Sequence, residues 1–244
     1  MMAEVWPFAQ RGETDDPRPG DEVLEVLHLS KSFGPRRALD DASLSVRHGE
    51  IVAVMGPSGS GKSTLLHCAA GVVRPDSGQV LYRGADVTRL PRDRSSELRR
   101  TQFGFVFQFG QLVPELDAVE NVALPLLLNG SGRREAKTIA RTWLDRLSIG
   151  DLAGQRPGQM SGGQAQRVAV ARALVTCARV VFADEPTGSL DTATSFAVMA
   201  EMVELAREHG TAIVVVTHDA QVAAYADRVV GMRDGRTEQE RGDG

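Results

Sequence analysis

The sequence predicts an α/β layered domain built on a mainly parallel sheet, with a helical subdomain inserted into it. Three observations carry this reading. Short β-branched runs alternate with helical patterns along most of the chain. Several of the runs, Ile51–Met55, Val180–Ala183 and Ile213–Val216, are apolar on both faces, as central strands are when helices cover a parallel sheet on both sides. The rhythm then breaks between Glu115 and Gly158, where no good strand occurs, Asn129–Gly132 reads as a turn, and Arg133–Leu147 reads as an amphipathic helix with Ile139, Trp143 and Leu147 on one side.

Residues 1–22 hold six acids against two arginines, with Pro7, Pro17 and Pro19 and no apolar periodicity. They are expected to form a mobile acidic tail; the basic start and apolar run of a signal peptide are missing from it. Extended segments follow at Val23–Leu29, Ser43–Val46, Ile51–Met55, Phe103–Phe107, Val180–Ala183, Ala212–Thr217 and Arg228–Met232. The polar stretch Asp234–Gly244 is expected to fray, so the domain is bounded at 23–236, with a polar tail at 237–244. Hydrophobic residues at 42% with 25% charged exclude bulk disorder. The apolar stretches Val122–Leu128 and Ala212–Val216 fall far short of the roughly 18 residues of a membrane span. Net charge is −4 and the acidic tail accounts for it, which leaves no basic field for nucleic acid. Cys68 and Cys177 lie far apart with no CxxC, so both are expected to be reduced, buried thiols.

The decisive segment is Gly56-Pro57-Ser58-Gly59-Ser60-Gly61-Lys62-Ser63-Thr64, between the apolar strand Ile51–Met55 and the helical run Ser63–Ala70. This is phosphate-loop spacing in its required context. Glycines let successive N–H groups point inward, the helix adds the positive end of its dipole, and Lys62 brings a point charge to the β- and γ-phosphates. Ser63 would ligate Mg²⁺, and Thr64 can bond a phosphate oxygen. The run Val180-Val-Phe-Ala-Asp184-Glu185 ends a buried strand in two carboxylates. Asp184 suits an Mg²⁺ anchor, and Glu185, one residue beyond, suits a base for the attacking water. Farther on, Met160-Ser161-Gly162-Gly163-Gln164 opens a small-residue helix, Ala165–Leu174. Ser161 is a good N-cap and the glycines expose N–H groups, which makes a second γ-phosphate binder.

With these three motifs in order, the chain resembles the ABC-type ATPases, whose signature is a Leu-Ser-Gly-Gly-Gln motif opening a helix. The resemblance covers roughly Val23–Arg236 and implies a P-loop fold with an antiparallel β subdomain and an inserted helical subdomain at about 115–158. It implies ATP and Mg²⁺ as ligands. It also implies a homodimer, because in that family Ser161–Gln164 would meet the nucleotide of a second protomer packed head to tail. By the same resemblance Phe33 stacks on adenine, Gln108 touches Mg²⁺ or water, Asp191 of Ser189-Leu190-Asp191 communicates across the dimer, and His218 contacts the γ-phosphate. The segment from Gln108 to Leu126 and the run Ala183–Asp191 look like the macrolide-efflux, lipoprotein-releasing and cell-division branch.

That branch implies a separate transmembrane permease and a place on the cytoplasmic face of the inner membrane. Either transport or a regulatory scaffold for a cell-wall or division partner fits it. A soluble member acting on ribosomes or DNA would carry two cassettes or a long coiled coil, and neither is present. Met160 replaces the usual Leu, Gln164-Ala165 stands where Glu-Gln is common, and Phe109-Gly110-Gln111 departs from the branch. The Gln108 loop and the helical insert are expected to dock a short permease helix through Leu112, Val113, Leu116 and Val119, unless these four are simply core.

Overall fold

The computed structural model describes residues 20–108 and 110–238. Most of the expected acidic tail, Phe109 and the chain beyond 238 lie outside the described residues. In chain order the elements begin with β1 (Glu22–Phe33), β2 (Arg36–Arg47), β3 (Ile51–Met55), α1 (Lys62–Ala69), β4 (Ser77–Tyr82), β5 (Ala85–Asp86), α2 (Arg92–Gln102) and β6 (Phe103–Phe107). The insert supplies α3 (Ala118–Leu128) and α4 (Arg133–Arg146), and the chain re-enters the core through α5 (Gly162–Leu174). It closes with β7 (Val180–Asp184), α6 (Thr192–Glu208), β8 (Ala212–Thr217), α7 (Ala220–Ala223), β9 (Arg228–Arg233) and β10 (Arg236–Glu238).

The central sheet runs β10-β9-β3-β8-β7-β6, parallel throughout except for the β9/β10 hairpin. A second, antiparallel sheet runs β2-β1-β4-β5. The period of two along the central strands divides the core into two layers. Ile51, Ala53, Val181, Ala183, Ile213 and Val215 face the helical side, where Val122, Ala140, Trp143, Val170 and Met199 cover them. Val52, Val54, Val180, Phe182, Val214 and Val216 face α1 and the antiparallel sheet, through Leu65, Leu66, Leu24 and Tyr82. Burial on both faces is what the uninterrupted apolar runs require.

Several expectations are corrected. The segment 237–244 does not begin as a tail, because Thr237 and Glu238 belong to β10. Asp234 (φ 49) and Gly235 (φ 78) both take positive φ, a type I′ hairpin geometry that matches strand twist. Arg236 then ties the hairpin to Asp40, with Nε at 3.0 Å and Nη2 at 2.7 Å from Oδ2. The N-terminal boundary shifts as well, since β1 already includes Glu22. Strands β4 and β5, and helices α2, α6 and α7, form where the sequence reading placed no element, and α3 lies within the expected helical insert although it was not placed there individually. Helix α3 starts from a capping box in which Asp117 accepts from the Glu120 N–H at 2.8 Å, and it accommodates Pro125 in its C-terminal half. Cys68 is buried as expected, whereas Cys177 is exposed. Burial pushes the Cys68 thiol up to about 11, so it stays protonated at neutral pH.

Candidate functional site

The parallel register sets the site. Met55 pairs with Thr217, Asp184 with Val216, and Phe107 with Asp184, so β3, β8, β7 and β6 deliver Gly56, His218, Glu185 and Gln108 to one edge. Ligands of open α/β sheets bind in the crevice outside such carboxyl ends. A cavity of about 510 Å³ opens there, of the size small ligands occupy. Ser58, Gly59, Gly61, Lys62, Ser63 and Thr64 form one wall. Gln108, Glu185 and His218 face them, and Phe33 stands at the rim, 52% exposed with the Lys31 ammonium 5.5 Å from its ring centroid.

The loop from Gly56 to Gly61 is held close to its neighbours. A Cβ on Gly56 would lie 2.0 Å from the Met232 carbonyl, and Gly61 caps α1 at φ 106 with no side-chain cap. The first N–H groups of α1 are thus left to bind an anion. Lys62 Nζ donates to the carbonyls of Gly56 at 2.7 Å and Pro57 at 3.1 Å, which seats the ammonium at the loop's centre. Gly56, Pro57 and Ser60 shape the loop rather than line the cavity. The Ser60 hydroxyl is buried with no hydrogen-bond partner among the described residues.

The Ser63 hydroxyl donates to Asp184 Oδ1 at 2.8 Å. Hydroxyl, carboxylate and the nearby Gln108 amide all offer oxygen, the donor set of a hard divalent cation. Among the described residues no three His, Cys, Asp or Glu side chains gather around a common point. That fits Mg²⁺, which takes one or two carboxylates together with substrate phosphates. His67 Nε2 lies 3.8 Å from Asp184 Oδ2. Sequence reasoning missed this residue, although its place one helical turn after Ser63 puts both on the same face of α1.

Glu185 adopts φ 46, a left-handed conformation rare outside glycine and worth about 1–2 kcal/mol of strain. Its N–H donates to the Val216 carbonyl at 3.0 Å, so β8 holds the turn. The turn aims the carboxylate at His218, whose Nδ1 is 2.9 Å from Oε1. Gln108 sits over the next turn, where a Cβ on Gly188 would come within 2.9 Å of its side-chain amide nitrogen, and its backbone carbonyl accepts from the Ser189 hydroxyl at 2.9 Å. A carboxylate fixed against an imidazole, across from a phosphate loop, can orient and deprotonate water.

Ser161 and Asp191 stand elsewhere. Ser161 caps α5, accepting from the Gln164 N–H at 3.3 Å while Gln164 Oε1 accepts from the Ser161 N–H at 2.8 Å. Gly163 allows α6 to approach, since a Cβ there would meet Thr194 Cγ2 at 2.3 Å. Asp191 caps α6 through the Thr194 hydroxyl at 2.6 Å and N–H at 3.0 Å, and these bonds hold its carboxyl below the usual range. Neither Asp191 nor residues Ser161, Gly162, Gly163 and Gln164 line the cavity, so one chain does not bring them to its own phosphate loop.

Helix α5 does reach the site indirectly. Gln166 Nε2 donates to the Phe107 carbonyl at 3.0 Å, and Arg172 donates to the carbonyls of Gly110 at 2.7 Å and Gln111 at 2.9 Å. Asn121 fixes the next segment: its Oδ1 accepts from the Val113 N–H at 2.8 Å, and its Nδ2 lies 3.1 Å from the carbonyls of Val113, Leu116 and Asp117. All three were missed as positioning groups, because each acts on backbone, which a sequence motif does not display.

Residues 39–188 match the family model described as ABC transporter. The lipoprotein-releasing system ATP-binding protein LolD 2 of Caulobacter vibrioides is 45% identical over 225 residues, covering 91% of this chain and 99% of the relative. The LolD protein of Syntrophotalea carbinolica is 46% identical over 221 residues, covering 89% and 97%. Among solved structures, a dimeric post-hydrolysis state of the ATP-binding cassette MJ0796 bound to ADP and Pi aligns with a TM-score of 0.82 at 37% identity, over 88% of this chain and 97% of that one.

Proposed function

The chain belongs to the ABC transporter family as an ATP-binding, ATP-hydrolysing subunit, and we propose that it is the motor of a lipoprotein-releasing type of membrane complex. What carries the substrate class is the near full-length similarity to ATP-binding proteins of lipoprotein-releasing systems. In this reading two copies pack head to tail and Ser161, Gly162, Gly163, Gln164 and Asp191 of each complete the other's cavity. The separation of these residues from their own phosphate loop supports that arrangement. Phe33 takes the adenine, the loop N–H groups and Lys62 take the phosphates, and Ser63, Asp184 and Gln108 would hold Mg²⁺, which neutralises phosphate charge when bound. Glu185 accepts the proton of the attacking water, and His218 fixes its carboxylate and faces the γ-phosphate. ATP held from both sides favours the closed dimer, and hydrolysis removes that differential affinity.

The permease would dock on a surface other than the one the sequence suggested. Of the four residues expected there, Val119 is core, Leu112 is partly buried against the core, and Val113 and Leu116 are half-buried in the turn that Asn121 holds. An apolar trough of about 560 Å³ lies instead between the core and the insert, lined by Phe105, Phe107, Leu124, Pro125 and Leu128. Leu128 and Val72 on its rim are 58% and 53% exposed. Phe107 leads straight into Gln108, so a helix seated in the trough would press on the strand that carries the glutamine. Among the described residues no helix is long and apolar enough to cross a membrane; in this reading the chain works at the cytoplasmic face of the inner membrane, held there by the permease.

The test is reconstitution with the membrane protein that copurifies. ATP-dependent release of an acylated protein from liposomes is the expected result. Stimulated hydrolysis with no such release, or a division protein as the partner, would favour the scaffold reading instead.

A further inference from the structure

The geometry points to Arg36 as a second cation on the phosphate chain of the nucleotide, an assignment that rests on reading the cavity as an ATP site. Arg36 opens β2, three residues beyond Phe33, and lines the same cavity as Lys62, Ser63 and Thr64. Its Nη2 donates to the Gly59 carbonyl at 3.3 Å. A Cβ on Gly59 would lie 3.1 Å from that nitrogen, so the guanidinium sits directly against the loop backbone, at a glycine whose φ is 79.

Its neighbour Arg37 is differently placed. Arg37 Nη1 pairs with Asp40 Oδ1 at 2.7 Å, and Arg236 holds the other oxygen of the same carboxylate. Among the described residues Arg36 has no carboxylate within ion-pair distance, and its one hydrogen-bond partner there is a neutral carbonyl. Its charge stays uncompensated, and the planar fork keeps donors for a second acceptor.

Charge balance in the cavity gives that acceptor its identity. The cation of Lys62 and the anion of Glu185 cancel, so without Arg36 the lining would meet a polyanionic triphosphate with no net positive charge. A guanidinium beside the loop supplies it, in the fork geometry that pairs two N–H groups with phosphate oxygens. The competing role is a staple from the β1–β2 hairpin to the loop, in which the Gly59 bond is the whole of its function.

Titration of Mg²⁺-ATP into the full-length chain carrying Glu185→Gln, which prevents turnover, separates the two. Adding Arg36→Ala should raise Kd about tenfold, the loss of one charge-assisted hydrogen bond. Arg36→Lys should recover part of the loss, since it restores charge without the fork. The deficit should shrink as salt rises, and the melting temperature without nucleotide should not move. A Kd within twofold of the parent overturns the assignment. So does weakening that Lys does not rescue, that ignores salt and that comes with a lower melting temperature, as a staple would give. Lys62→Ala is the control for the site itself. If the parent fails to bind ATP, or Lys62→Ala binds it equally well, the nucleotide reading falls; if both controls behave and Arg36→Ala is silent, only the role of Arg36 falls.

Discussion

Glu185→Gln tests the chemistry at its centre. The amide keeps the volume of the carboxylate and can still accept from His218 Nδ1, now 2.9 Å away, so neither the left-handed turn nor its bond to Val216 is disturbed. What disappears is the proton acceptor. A general base contributes about 10²–10⁴-fold, which corresponds to about 2.7–5.5 kcal/mol in the barrier. Binding should survive, because Lys62 and the loop N–H groups are untouched and one negative charge has left the neighbourhood of the phosphates. Phosphate release should therefore fall at least a hundredfold while Kd for Mg²⁺-ATP stays the same or tightens. Without hydrolysis the ATP-loaded state should accumulate as a dimer on size exclusion. Turnover within about tenfold of the parent would remove Glu185 from the role of base. A large loss of ATP affinity at unchanged fold would show that the carboxylate holds the nucleotide rather than the water.

Leu128→Asp should abolish partner-stimulated hydrolysis and leave basal hydrolysis within twofold, because the residue is exposed on the trough rim and remote from the phosphate cavity; paired assays with and without the permease check it. Asn121→Ala removes the side-chain bonds to the Val113 N–H and to three carbonyls; those of Val113 and Asp117 keep the backbone N–H groups of Leu116 and Asn121, so the partly buried Val113 N–H and Leu116 carbonyl lose their partner. At about 1–3 kcal/mol for each buried group left unpaired, some of it relieved by water, a loss of about 3 kcal/mol is expected. For a chain of this size that lowers the melting temperature by about 6–12 °C, and calorimetry would show it.

The central strands were legible because they are apolar on both faces, and Ile51–Met55, Phe103–Phe107 and Ala212–Thr217 form with those bounds. The antiparallel sheet was half hidden. Ser77–Tyr82 reads as polar around Val80 and Tyr82, and its pairing comes from an Arg83-Gly84 turn with both φ positive. The Asp234-Gly235 turn carried a strong hairpin signal that the surrounding charge obscured. Pro125 concealed α3, although Asp117 and Glu120 mark its start. At the site, Lys62, Ser63, Asp184 and Glu185 follow from motif spacing, since the first two open α1 directly after the glycine loop that leaves β3 and the other two stand where β7 ends. Arg36, His67 and Asn121 could not be found that way, because what they touch is 23, 117 or about 8 residues distant and set by packing.

Arg172 ties helix α5 to the loop that follows Gln108, and this contact can be tested alone. Its guanidinium grips two successive carbonyls, Gly110 and Gln111, just past Gln108. Burial lowers its pKa, and even so no side chain with its starting value would lose its proton near neutrality. Helix α5 begins at the Ser161 cap and ends near Arg172, so a displacement of the signature end by a second protomer would be carried along a rigid rod to the glutamine loop. Arg172→Met keeps the length of the side chain and removes both bonds. ATP affinity should be unchanged, since the phosphate loop belongs to β3 and α1, while kcat and permease stimulation should fall together by about tenfold or more, as expected for losing charge-assisted bonds that position a loop. Arg172→Lys should restore only part of the rate, because one ammonium cannot match the fork on two carbonyls. If both variants lowered the melting temperature yet kept full turnover and full stimulation, Arg172 would be a structural tie and the two motifs would communicate by another route.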